Sequence, residues 1–160
     1  MGQYHFDMPE GWEGVPLPPP QAGVQIRPRE PQSPSSRAVI VLLGPVPPEG
    51  GLRDTLEQMV QEGNAGAQVV RRGDTLPFRS AAYPGLLTAV RLRVPSANGA
   101  PVPDEGRIYA VLDAGQERIP VVFAGGPEAL PMHRAALDTV LSSLRPYVGG
   151  EHSPFSGWSG

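Results

Sequence analysis

The chain of 160 residues contains no cysteine and no lysine. The missing cysteine excludes disulfides, zinc–thiolate centres and thiol nucleophiles. The missing lysine makes all 13 basic residues arginine. A phosphate loop of the Gly-Lys-Ser/Thr kind is therefore excluded, and so is a Schiff-base lysine. No apolar run approaches the roughly 20 residues of a membrane-spanning helix, so no transmembrane segment is expected. The net charge is −3, with both signs spread along the chain. No basic face of the kind that binds nucleic acid is expected from that distribution. The first residues are neither basic nor apolar enough for a secretory signal. A cytoplasmic location is expected; the alternative is export, with the leader absent from this sequence. The Gly-x-Ser-x-Gly and His-Glu-x-x-His patterns are also missing.

Glycine and proline are plentiful instead, at 20 and 21 residues. Prolines crowd the first fifty residues and the loop from Pro95 to Pro103, so the chain reads as an ordered core with stiff connections. A chain of this length is expected to form one domain, here residues 1–148, with a proline-rich insert at 15–36 and a disordered Gly/Ser-rich tail at 149–160. Tyr4, Phe6 and Met8 alternate with polar residues and predict a half-buried strand. Pro9-Glu10-Gly11 is a turn, and Trp12 after it is suited to plugging one end of a core. Pro18-Pro19-Pro20 predicts an extended polyproline segment, Val24–Ile26 a short strand, and Arg27–Ser36 an exposed loop. The apolar run Ala38–Leu43 predicts a central strand.

Leu52, Leu56, Met59 and Val60 recur at helical spacing, with Gly63-Asn64 as a stop signal. Strands are predicted at 68–71, 75–80 and 86–94, with Arg91 and Arg93 facing away from Val90, Leu92 and Val94. Ala114-Gly115-Gln116 turns a hairpin between 107–113 and 118–123, whose inward face is Ile119, Val121 and Phe123. Pro120 within it predicts an edge strand or a bulge. A final helix starts at Pro131, buries Leu137, Val140, Leu141 and Leu144, and ends before Pro146.

Few residues carry candidate chemistry. His5 and Asp7 would share a strand face, an arrangement metal sites use, but a third ligand is needed and the sequence places neither His133 nor His152. The reading is a solvated face: no metal and no cofactor is expected. Asp113 and Glu117 flank the hairpin turn and could pair for acid–base work, but a hairpin tip is normally solvated. Asp104-Glu105 reads the same way. Arg71-Arg72, Arg91 and Arg93 lie on neighbouring strands. If Arg71, Arg91 and Arg93 align, they could hold a carboxylate or phosphate by bidentate contacts. The pairs Gly50-Gly51 and Gly125-Gly126 precede the two helices and are explained by the loops there. Phe155 and Trp158 in the tail are candidate partner contacts, as are Arg91 and Arg93.

The opening Tyr4-His5-Phe6-Asp7-Met8-Pro9-Glu10-Gly11-Trp12 resembles the aromatic strand and Pro-x-Gly-Trp opening of PsbP-like domains. These domains include bacterial DcrB-like proteins, LpqN-type lipoproteins and type VI secretion effector chaperones. The strand and helix over 38–62, the strands over 68–123 and the closing helix follow the same order. The resemblance covers most of residues 4–146. It implies an α+β fold, an antiparallel β-sheet sandwiched by helices, and it brings no catalytic residue with it. Three functions are open: a non-enzymatic protein-binding adaptor or chaperone, a domain binding a small anion through Arg71, Arg91 and Arg93, and, least favoured, an enzyme built on His5, Asp7 or the hairpin carboxylates.

Overall fold

The computed structural model describes residues 4–94 and 104–146. In chain order the elements are β1 (Tyr4–His5), β2 (Trp12–Pro16), β3 (Gly23–Pro28), β4 (Ala38–Leu43), α1 (Leu52–Gly63), β5 (Gln68–Arg72), β6 (Leu76–Arg79), β7 (Pro84–Arg93), β8 (Glu105–Asp113), β9 (Arg118–Gly125), α2 (Ala129–Ser143) and β10 (Arg145–Pro146). The large sheet is antiparallel, in the order β2-β3-β4-β9-β8-β7-β5, with β6 also on β7. β5 pairs with residues 90–93 of β7 and β6 with residues 84–87, so the two form one edge in tandem. β1 and β10 make a separate two-stranded pair joining the ends of the described chain.

The alternation of side chains along β8 separates two apolar layers. Ile108, Ala110 and Leu112 join Ile26, Ile40, Leu42, Ile119, Val121 and Phe123 under Leu137, Val140 and Leu141 of α2. Tyr109 and Val111 point the other way, with Val90 and Leu92, onto Leu56 and Val60 of α1. The helices thus cover opposite faces, and the molecule is an α+β sandwich with the sheet between them. Gly51 caps the start of α1, and its N–H donates to Asp54 Oδ2 at 2.8 Å. That carboxylate satisfies a donor the first helical turn leaves open.

The N-terminal segment departs from expectation in extent. Of the stretch Tyr4–Met8 only Tyr4–His5 is a strand, because its partner begins at Arg145, just after α2. Phe6 and Trp12 are nonetheless buried in the α2-side core, and Met8 packs against it. Trp12 meets the His133 ring edge-on at 5.3 Å, and His133 Nε2 lies 3.0 Å from the Ser36 carbonyl. The proline-rich stretch also contributes more than a connection. β2 and β3 pair from Trp12↔Pro28 to Pro16↔Val24 and form the outer hairpin of the sheet.

Pro120 sits in β9, an interior strand between β4 and β8, not at an edge. It is tolerated there because the β4 ladder ends at Leu42↔Val121, one residue before it. The final helix begins at Ala129, two residues before Pro131. The predicted Pro95–Pro103 loop, the tail and the candidates His152, Phe155 and Trp158 lie outside the described residues.

Candidate functional site

The sheet's register decides which arginines meet. Arg71 of β5 stands directly opposite Arg91 of β7, across a register shift between Val69 and Arg71. Directly opposed residues share a face, with Cβ atoms about 5 Å apart. That face is the α2 side, since Arg91 alternates with Val90 and Leu92, which are buried under α1. The shift matters: Val69 pairs with Leu92, and the extra residue at Val70 turns Arg71 to the side of Arg91. Among the described residues neither Arg71 nor Arg91 has a carboxylate partner. Like charges placed directly opposite each other destabilise a sheet.

The other two arginines of the predicted set are engaged elsewhere. Arg72 faces α1, where its guanidinium makes a two-point pair with Glu57, Nη1 to Oε1 at 2.9 Å. Arg72 holds the Glu57 carboxyl below its usual range by hydrogen bonding, against a smaller opposing effect of burial. Arg93 donates from Nε to Asp104 Oδ1 at 3.3 Å. Of Arg71, Arg91 and Arg93, the register sets Arg71 opposite Arg91, and Arg93 meets Asp104.

These two arginines border a cavity of about 330 Å³. Its floor is Ala89, Ile108 and Phe123 of β7, β8 and β9. Its far wall is Gly126, Pro127, Leu130 and Pro131, at the start of α2. Gly73 and Gly106 complete the lining together with Val90 and Arg107. The Arg107 guanidinium is not in the cavity. It lies on the α1 side, donating to the Gly63 carbonyl at 2.5 Å and to the Tyr109 hydroxyl at 3.0 Å. Apart from the arginines, every lining residue is glycine, proline, aliphatic or aromatic. Gly126 sets the far wall, because the Pro34–Arg37 loop crosses it at backbone contact distance. The Gly126 N–H donates to the Arg37 carbonyl at 3.0 Å, and the Glu128 N–H to the Ser35 carbonyl at 2.8 Å.

The remaining candidates have structural tasks. Asp7 pairs with Arg145 at 3.2 Å, and its backbone N–H donates to Ser143 Oγ. No group of three His, Asp or Glu residues able to hold a metal occurs among the described residues. Asp113 and Glu117 do not act as a pair. Asp113 Oδ1 accepts from the Gly115 N–H at 2.9 Å and shapes the turn. Glu117 accepts from the Tyr4 hydroxyl, whose pKa is raised by burial and by that carboxylate. Asp104 and Glu105 are held by Arg93, and by Arg37 and Arg107.

Sequence reasoning missed the α2 wall of the cavity, and the only signal for it was Gly125-Gly126 ahead of the helix. It also missed Arg118, whose buried guanidinium donates to the carbonyls of Glu49, Gly50 and Gly51 and to Thr55 Oγ1.

No family model matches the chain, and no curated protein matches it. Solved structures do. LpqN of Mycobacterium tuberculosis, described as involved in cell envelope biogenesis, superposes with a TM-score of 0.62 at 14% identity, over 91% of this chain and 84% of that one. The PsbP protein of Synechocystis sp. PCC 6803 gives 0.57 at 17% identity, over 90% and 86%. A Pseudomonas aeruginosa protein, PA94, described as a protein of unknown function and putative regulator, gives 0.52 at 12% identity, over 86% and 92%. Identities this low establish architecture alone, and each superposition spans most of both chains. The chain therefore has the fold of PsbP-like domains.

Proposed function

We propose that this is a non-enzymatic binding domain whose ligand is an organic anion, held by Arg71 and Arg91 at the mouth of the cavity. The observation that carries this reading is the directly opposed arginine pair with no carboxylate partner among the described residues. Arg72 and Arg93, their immediate neighbours, each meet an acid. An uncompensated pair of like charges is a cost to the fold that a bound carboxylate or phosphate would offset by charge-assisted hydrogen bonds to both guanidinium groups. The carboxylates that might have supported catalysis are engaged, Asp113 in its turn and Glu117 with Tyr4.

Calorimetric titration with inorganic phosphate and with hexanoate tests the reading. Binding should weaken at least tenfold in Arg91→Ala and be unchanged in Arg134→Ala, whose side chain pairs with Asp138 on the outer surface of α2. Bound anion should also raise Tm by mass action. A flat response to both anions would overturn it.

The β5–β6 edge favours a second reading, a protein-binding adaptor or chaperone. Val69, Val70 and Leu76 are 46%, 40% and 53% exposed there. An exposed edge strand is a template for an added strand. Phe155 and Trp158 would be accessory contacts. Val70→Pro should then abolish capture of the partner; retained capture would count against this reading.

A further inference from the structure

We infer that the anion is the head of a single-chain amphiphile, a fatty-acid-like molecule whose acyl chain lies along the α2 face of the sheet. The inference rests on the anion reading above and adds the nature of the body behind the charge.

The cavity offers a ligand two guanidinium groups and otherwise no side-chain hydrogen-bond donor or acceptor. A nucleotide, a sugar phosphate or a polar peptide segment would bring hydroxyls, ring nitrogens or amides into that space. Each would lose its water without gaining a side-chain partner, which is unfavourable. An alkyl chain has no such requirement, and it gains from covering Ala89, Leu130 and Pro131.

The charge and the apolar surface are also segregated in line. Beyond Ala89, the residues of β7 that share its face are Leu87 and Gly85. Leu76 of β6 is paired with Leu87, and Phe78 with Gly85. Phe78 stacks over the space a Gly85 side chain would fill. Leu87 and Phe78 are partly buried against the core, while Leu76 is half exposed. From Arg91 to Leu87 the strand advances about 13 Å, at about 3.3 Å per residue. Charge at one end of an apolar strip of that length is the complement of an anionic head on an extended alkyl chain. Because the head contacts need only two guanidinium groups, a carboxylate and a phosphate ester satisfy the same chemistry.

The test is a calorimetric series on the full chain, with every amphiphile below its micellar concentration: hexanoate, decanoate, decyl phosphate, the neutral decanol and inorganic phosphate. Affinity should rise at least tenfold from hexanoate to decanoate, because buried methylenes each contribute. Arg91→Ala and Arg71→Ala should each weaken decanoate at least tenfold, with melting curves confirming that both variants fold. Leu76→Ser, at an exposed position, should weaken decanoate severalfold and leave hexanoate unchanged. The tighter of decanoate and decyl phosphate identifies the head, and either supports the inference. Arginine-dependent binding of phosphate and hexanoate with no gain from chain length would overturn the amphiphile and leave the anion site standing. Equal binding of decanol and decanoate, indifferent to both arginine substitutions, would overturn both, as would no binding by any member of the series.

Discussion

Arg118→Ala is expected to lower the stability of the domain by about 3 kcal/mol, and Tm by roughly 10 °C. Arg118 is only 7% exposed and has no carboxylate partner among the described residues. Its charge is solvated instead by oxygens of the loop that leads into α1. Nη1 donates to Gly51 O at 2.9 Å, to Glu49 O at 3.2 Å and to Thr55 Oγ1 at 2.7 Å, and Nη2 donates to Gly50 O at 2.8 Å. The backbone of the same residue bridges to Val46 in both directions, at 2.8 and 2.9 Å. One side chain thus ties β9 to the 46–51 loop and to the first turn of α1. Alanine would leave those carbonyls without a donor, and an orphaned buried polar group costs more than an intact hydrogen bond contributes. Arg118→Lys should recover only part of the loss, since an ammonium group lacks the planar fork that reaches several oxygens at once. Urea unfolding of the three proteins measures the effect. A loss below about 1 kcal/mol for alanine would mean that the loop is held by other contacts.

The second large effect is expected at Gly126. A methyl group there would fall well inside van der Waals contact with the carbonyl oxygens of Pro34 and Ser35. Both obstacles are backbone, and the loop that carries them is fixed by the hydrogen bonds of Ser35 and Arg37 to Glu128 and Gly126. It cannot yield as a flexible side chain would. Gly126→Ala should therefore destabilise by about 2 kcal/mol, the scale of overpacking in a tight interior. Gly115→Ala is the contrasting case. Its φ of +83° is unfavourable for alanine, but no atom lies within 4 Å of the added carbon. There only backbone strain applies, about 1 kcal/mol. Thermal melts of the two variants separate close approach from φ strain; Gly126→Ala as mild as Gly115→Ala would show that the 34–37 loop can move aside.

Much of this architecture is written in local patterns. The alternation of Arg91 and Arg93 with Val90 and Leu92 gave the faces of β7, and Ala114-Gly115-Gln116 marked the turn between β8 and β9. The aliphatic spacings in both helices gave the stripes that bury Leu56, Val60, Leu137, Val140 and Leu141. What a local pattern does not carry is pairing between distant segments. β2 was illegible because its burial pattern over Trp12–Pro16 contains one buried residue; the strand exists because β3 is beside it. Pro120 misled for the same reason, since whether a missing N–H matters depends on where β4 ends.

The site divides in the same way. Arg71 and Arg91 could be named from their strands, whereas the loss of Arg93 to Asp104 follows from a loop closure that no periodicity reports. The α2 wall, with Leu130 and Pro131 facing two arginines some forty to sixty residues earlier in the chain, is a product of packing alone. Arg118 carried no signal at all: a charged residue at the start of a hairpin strand looks exposed until the 46–51 loop is folded over it.

Arg71 and Arg91 stand opposed with no acidic partner among the described residues, and Arg91→Glu tests whether an anion is what they hold. The substitution converts a repulsive cross-strand pair into an attractive one. Melting and decanoate titration are then made on the same sample. Opposite movements are expected: stability rises by about 0.5 kcal/mol, and the anion no longer binds. A variant that still binds decanoate as the parent does would contradict it, because the ligand would then be held by something other than these two arginines.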